Sequence, residues 1–527
     1  MPRRIRRRRL DGWTDPHLLF RAHCTEATHV VWLDGGSDAT SGVSVLASAH
    51  AGSVMLTADV AAGTISTTWP AAPEGPTLTR PGGVDDLFDA LGERLAAHRV
   101  DVAASAAGVA RDDPPAGPGG GPLGWYGWFG YELGAELVGV PAAETDTPDA
   151  AFLWVDRAVV FDHASRTADL VWLCDDGRGD DSGGDARVER SDGGDGASEA
   201  WADELAEVWV TVRADAGRAD SATAMSAEPP ASARPDRARS TAPTAPNAPT
   251  ARWRHDAATY TRLIDECQRA IRRGDAYQLC LTNRVDIDVT PDPASTYLAL
   301  RASSPTHHGG YLRFGDHALL SASPELFLHV SRDGIVSTKP MKGTRPRHAD
   351  PVEDRRLRRE LLGSEKERAE NLMIVDLMRN DLGRIAELGT VRVPSLLAVE
   401  EYPHVHQLVS TVRARLRHPL TALDAVRSAF PAGSMTGAPK HSAMQILHGL
   451  EAGPRGVYSG AFGYLAVDGS LDLAMVIRSI VLGPNGASIG TGGGITALSV
   501  AEEEVEETRI KARALLAVLG ASTTDAR

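Results

Sequence analysis

Apolar residues recur in two rhythms along this 527-residue chain. Short apolar runs bounded by Asp and Gly, such as Val30–Asp34 followed by Gly35-Gly36 and Ala158–Asp162, predict strands. Longer segments repeat apolar residues every three or four positions and predict helices over 82–100, 201–214, 365–381 and 501–520. In the last of these Val505, Thr508, Ala512, Leu515 and Leu519 make one stripe, acids come early and bases late, and Gly520 marks the stop. Between residues 124 and 134 glycines alternate with aromatics, which suits a packed turn in a core or a close backbone approach.

Composition changes twice. Residues 175–200 are Asp, Gly and Ser, and 214–250 are rich in Ala, Pro, Ser and Thr; neither stretch has enough to bury to offset its ordering entropy. The expected organisation is a basic N-terminal tail (1–19), an N-terminal lobe (20–173), a linker insertion (174–250), a dense motif-rich catalytic domain (251–520) and a short tail (521–527). The first nine residues hold six arginines, but Asp11–Asp15 supplies no apolar stretch of a signal peptide, so a frayed terminus is expected. No run of eighteen apolar residues occurs, which excludes a membrane-spanning helix. A net charge of −15 argues against nucleic acid, so an anionic small substrate would need local arginines or a metal. Four cysteines without a CxxC pair suggest neither zinc nor disulfides and favour a reducing cytoplasm.

Several residues carry candidate chemistry. Glu367 and Glu370, and far downstream Glu504 and Glu507, each put two carboxylates on one helix face. They form either solvated faces or a site for a hard cation such as Mg²⁺. Lys342, in Ser337–Arg347, is expected on a tight loop after Pro340. As a nucleophile it must be neutral, with its pKa lowered by burial or by Arg345 and Arg347; otherwise it is a surface lysine. Glu325, after Ser323-Pro324 in an apolar stretch, is either an edge glutamate facing water or a carboxyl with raised pKa that donates a proton. Glycine-rich segments at 431–440, 454–465 and 489–495 match no Walker or dinucleotide loop.

Taken in order, SPE at 323–325, the P-x-K-G-T-R segment at 340–345, AENLMIVDLMRNDLGR, FPAGSMTGAPK, RGVYSGAFGYL, AMVIRS and the ExxE tail resemble the chorismate-utilising enzymes over about 253–519. The resemblance implies an α+β chorismate-binding enzyme fold, with two large, mostly antiparallel β-sheets packed as a sandwich and helices outside. Members that add water resemble one another in carrying a lysine base where this chain has Gln278, which implies ammonia as nucleophile. Lys342 is similar to the lysine of aminodeoxychorismate synthases, whereas anthranilate synthases carry alanine there. Gln407 and Asn371 stand where anthranilate synthases have histidine.

The implied reaction is conversion of chorismate to 4-amino-4-deoxychorismate. Lys342 attacks C2 while Glu325 protonates the departing C4 hydroxyl, and ammonia then displaces the lysine. The resemblance makes Glu370 and Glu507 direct Mg²⁺ ligands, with Glu367 and Glu504 acting through water. It gives Tyr458 and Arg478 to the enolpyruvyl carboxylate, and Gln278, Thr344, Gln407, Ser434, Gly492 and Gly494 to the substrate pocket. It implies ammonia from a glutamine amidotransferase subunit in a heterodimer. The N-terminal lobe resembles a region that holds tryptophan in this family; Trp32–Gly35 matches it weakly and no site is assigned there. The alternatives are an anthranilate synthase component I, a 2-amino-2-deoxyisochorismate synthase, or a non-catalytic chorismate-binding subunit.

Overall fold

The computed structural model describes residues 3–70, 76–100, 123–175, 194–226, 249–402 and 405–523. These form sheets of 13 and 12 strands, antiparallel except where Thr250–Trp253 runs parallel to Ser522–Thr523. The period of two along each strand builds two cores from the first sheet. Val31, Leu33, Val45, Ala47 and Leu319 face the second sheet, whereas Val30, Trp32, Leu46, Ala318 and Leu320 face outward beneath helices. Aromatics stitch the sandwich: Trp128 of the second sheet stacks on Phe314 of the first, 5.0 Å between ring centroids. Such a pair is worth roughly 0.5–1.5 kcal/mol beyond area burial. The outer core of the first sheet is covered by helices that include Pro16–His23, Gly194–Ser226, Pro293–Ser303 and Ala501–Val518. Among the described residues no helix is long and apolar enough to cross a membrane.

Four findings differ from the sequence reading. The N- and C-terminal parts are not separate lobes, because both contribute to both sheets. His29–Asp34 pairs with His308–Phe314 in one sheet, and Gly124–Phe129 pairs with Ala461–Ala466 in the other. The expected basic tail is a strand, Arg3–Leu10, paired antiparallel with Thr167–Asp175. Its charges are matched, since Arg9 and Arg7 bind Asp169, Arg8 binds Asp203 (2.6 Å) and Arg6 binds Glu199. Acids on two neighbouring elements thus give a repulsive run of arginines a reason to order. Within the expected linker, the helix Gly194–Ser226 buries Ala202, Leu205, Trp209 and Val212 at helical spacing; 176–193 and 227–248 lie outside the described residues. Lastly, Lys342 is carried not by a loop but by the strand Met341–Pro346, paired with Val405–Arg415 across an irregular register.

Contact between the sheets is close enough to require glycine at Gly310, where a Cβ would lie 2.3 Å from Phe462 Cε2. Gly310→Ala should therefore destabilise by about 1–3 kcal/mol through overpacking. Gly449→Ala, on an exposed helix face with nothing within 4 Å of the new Cβ, should stabilise by about 0.4–1 kcal/mol. Urea or thermal unfolding of the two variants should show opposite signs.

Candidate active site

Two helices bring the acids together. In Glu365–Gly383 the residues Glu370, Asn371, Ile374, Val375 and Met378 are buried, so the apolar stripe that docks the helix carries Glu370 inward with it. Ala501–Val518 buries Glu504 and Val505 in the same way. Both helices meet the strand Gly486–Ile495 at its glycines. A Cβ on Gly493 would lie 3.0 Å from Glu504 Oε2 and 3.9 Å from Glu507 Oε1, and one on Gly494 would lie 3.6 Å from Glu370 Oε2. Glu370, Glu504 and Glu507 thus converge. Glu367 stands aside, with one oxygen on Arg345 (2.9 Å) and the other buried without a hydrogen-bond partner.

Lysines supply the countercharge. Lys366 Nζ binds Glu504 at 2.7 Å, and Lys511 Nζ binds both Glu507 and the Gly492 carbonyl at 2.7 Å. Burial raises the pKa of Glu370; Lys342 and Lys366 oppose the shift, while Glu504 and Glu507 add to it. Glu507 is lowered despite burial because Lys511, Lys366 and Lys342 face it. All the donors are carboxylate oxygens, the set a hard dication takes. Among the described residues no three His, Cys, Asp or Glu side chains stand close enough to hold an ion outright. Mg²⁺ keeps several waters and needs only one or two carboxylates, so Glu370 and Glu507 fit it.

Lys342 projects into the same chamber. Burial would lower its pKa, but Glu370, the Cys280 thiol, Glu325 and Glu507 outweigh it, and the net shift is upward. Arg345 and Arg347 do not depress it, because they pair with Glu360 and Glu367 and with Asp354 and Glu401. Glu325 lies between the strands His317–Ser323 and Leu326–Val330, buried rather than facing water. Burial raises its pKa against the opposing pull of Lys342, the Ser434 hydroxyl and the Met341 N–H. Asn371 braces the segment that leads into the strand of Lys342: its Nδ2 donates to the Pro340 carbonyl (3.3 Å) and its Oδ1 accepts from Ser410 Oγ (2.5 Å).

The remaining candidates surround this centre unequally. Gln278 is 1% exposed, and neither its amide oxygen nor its nitrogen has a hydrogen-bond partner among the described residues. Its nitrogen lies 2.3 Å from where a Gly494 Cβ would be, so that glycine makes room for it. Tyr458 lies flat on Gly490, where a Cβ would fall 2.0 Å from its ring. Arg478 is exposed in the left-handed region (φ 50); its carbonyl accepts the Ala322 N–H (3.1 Å), and its guanidinium feels the charge of Glu325 yet makes no hydrogen bond or ion pair with any described residue. Gln407 reaches exposed Thr344 at 3.5 Å, while buried His406 turns away to Asp354 (3.0 Å). The α-carbon of Gly492 faces the neighbouring strand at Leu281 rather than the chamber. Sequence reasoning missed Lys366, Lys511 and Gly493. Lys511 could have been found as the residue four after Glu507; Lys366 reaches across helices and leaves no such spacing. A cleft of about 790 Å³ on the outer face of the helix Glu365–Gly383, lined by Tyr277, Leu372, Leu377 and Lys440, contains none of the candidates.

Comparison with known proteins places this geometry. The family model of the chorismate binding enzymes matches residues 83–517. The chain is 41% identical over 539 aligned residues to an aminodeoxychorismate synthase of Streptomyces griseus, spanning 98% of this chain and 65% of that protein's own length. It is 39% identical to an anthranilate synthase component 1 of Streptomyces coelicolor, covering 81% of this chain and 77% of that one. The crystal structure of anthranilate synthase component I from Streptococcus pneumoniae superposes with a TM-score of 0.63 at 27% identity, over 93% of this chain and 92% of that one.

Lys366→Met tests the charge balance. Removing the partner of buried Glu504 should destabilise by about 1–3 kcal/mol. Glu370 has a folded pKa above its unfolded value, so its contribution is full below the unfolded value and lost as pH rises through the folded one. Without Lys366 that folded pKa rises further, so the drop in thermal midpoint should widen as pH rises above the ordinary carboxylate range.

Proposed function

The chain belongs to the chorismate-binding enzymes, and from that membership we propose that it aminates chorismate at C4, forming 4-amino-4-deoxychorismate. The observation that carries the reading is Lys342 held between Glu325 and Glu370 in one chamber, beside a buried Gln278 amide with no partner of its own. An amide in that setting binds a small neutral donor and cannot strip a proton from water. That favours ammonia as the nucleophile.

Bond by bond, the neutral Lys342 amine adds to C2, both ring double bonds shift by one position towards C4, and the C4–O bond breaks; the double bonds shift back when ammonia enters. Glu325 gives its proton to the leaving oxygen, which departs as water. Ammonia then attacks C4 and the C2–N bond breaks, freeing the lysine amine. The Glu325 carboxylate takes the surplus proton from the new ammonium and is reset. Covalent catalysis thus divides one hard displacement into two easier ones. Glu325 suits both halves, since burial keeps it protonated at higher pH than a free carboxyl while Ser434 and Met341 N–H steady the ionised form.

Glu370 and Glu507, with Glu504 beside them and Glu367 further out on Arg345, would hold Mg²⁺, and the ion when bound would supply positive charge for the ring carboxylate and weaken the field that favours protonated Lys342. The unpaired Arg478 guanidinium and Tyr458 receive the enolpyruvyl carboxylate, for which a planar fork suits bidentate pairing. Thr344, Gln407, Ser434 and Gly494 border the ring. The nitrogen comes from a glutamine amidotransferase partner, with free ammonium serving in its absence. The enzyme works in the cytoplasm.

The relative named anthranilate synthase component 1 favours a second reading, in which the amine enters at C2 and the ring aromatises. Gln407 and Asn371 oppose it, because neither amide can accept the ring proton that must leave.

Incubation with chorismate, Mg²⁺ and ammonium should give 4-amino-4-deoxychorismate by mass, with no fluorescence of anthranilate; a fluorescent product would instead establish the second reading. Lys342→Ala should abolish this product and leave at most C2 amination. Glu325→Gln should lower turnover by about 10²–10⁴-fold with chorismate affinity retained.

A further inference from the structure

Arg455 lies in the segment Pro454–Leu465, outside the chamber, with its side chain 1% exposed and all five of its N–H groups used. Nε and Nη2 form a fork on Glu451 at 2.8 and 2.7 Å. Nη1 donates to the Met435 carbonyl (2.6 Å) and towards Ser459 Oγ (3.4 Å), and Nη2 also donates to the Cys280 carbonyl (2.9 Å). The guanidinium sits 4.1 Å from the centroid of Tyr131. Glu451 in turn accepts the Thr282 N–H at 2.8 Å. The backbone around Arg455 is gripped from the other side, where Glu132 accepts the N–H groups of Arg455 (2.8 Å) and Gly456 (2.9 Å).

Three of these bonds, to Met435, Cys280 and Ser459, end next to or near a residue that borders the chamber. Met435 follows Ser434, Cys280 lies two residues beyond Gln278, and Tyr458 stands between Gly456 and Ser459. Those three come from separate segments; a two-residue pairing, Gln278 and Leu279 with Ala438 and Gly437, ties two of them by backbone, and Arg455 adds side-chain bonds that reach all three. By contrast, no bond from Arg455 reaches the helices that carry Glu370 and Glu507. We infer that Arg455, locked by Glu451 and Glu132, is the positioning residue that sets Ser434, Tyr458 and Gln278 as one substrate-binding unit, independently of the acid cluster. A lysine has a single point of charge in place of the planar fork and cannot hold Glu451, Met435 and Cys280 together.

This inference rests on the reading that the chamber binds chorismate, and the experiment separates the two. Chorismate binding is measured by calorimetry, and Mn²⁺ binding by electron paramagnetic resonance, on the wild type, Arg455→Lys and Glu132→Gln. The wild type should bind both; failure to bind chorismate overturns the substrate reading itself. Arg455→Lys should weaken chorismate by about tenfold or more, and Glu132→Gln by about threefold, with Mn²⁺ affinity unchanged in both. If Arg455→Lys does not fold, Glu132→Gln alone decides. Chorismate affinity equal to the wild type, or chorismate and Mn²⁺ affinities falling together as general loosening would cause, overturns the inference.

Discussion

Lys342, Glu325 and the acids Glu370, Glu504 and Glu507 share one poorly hydrated volume, and each group's charge sets that of the others. Burial penalises the charged forms of Lys342, Glu325, Glu370 and Glu507. They persist because ammonium and carboxylate offset one another: Lys366 faces Glu504, Lys511 faces Glu507, and Lys342 lies between Glu370 and Glu325. The same carboxylates also favour the protonated form of Lys342.

Asn371 shows how one position can act on both structure and chemistry. Its amide ties Pro340 to Ser410 and thereby fixes the strand that presents Lys342. Gln407 reaches the same strand through Thr344, so Asn371 and Gln407 are linked mechanically in this chain.

Much of this was legible in the sequence where a period or a spacing exists. The two acid-bearing helices follow from their apolar stripes, and the stripe Val505, Thr508, Ala512, Leu515 and Leu519 is buried throughout. The strand at 29–34 follows from its apolar run, although only the structure divides Val31 and Leu33 from Val30 and Trp32 between two cores. Long-range pairing left no trace. The arginine-rich start reads as a repulsive tail because its acidic partners, Asp169, Glu199 and Asp203, lie far along the chain. The upward shift of Lys342 was likewise invisible, since nearby arginines suggest a lowered pKa until their own partners are seen. Arg455 is an ordinary arginine in a glycine-rich segment until its bonds to Met435 and Cys280 are traced.

The seam through both sheets has a consequence for how the molecule is made. His29–Asp34 and Gly124–Phe129 find their neighbours His308–Phe314 and Ala461–Ala466 only after hundreds of intervening residues. During synthesis the first half therefore emerges with two unsatisfied strand edges, the kind that attract other chains. Such distant contacts also slow folding, because long loops must close before any pairing stabilises them. Gly127, where a side chain would fall 1.8 Å from the Ala151 carbonyl, and Gly310 lie along these seams. The same glycines that let the sheets close so tightly leave little side chain to guard the edges while they wait.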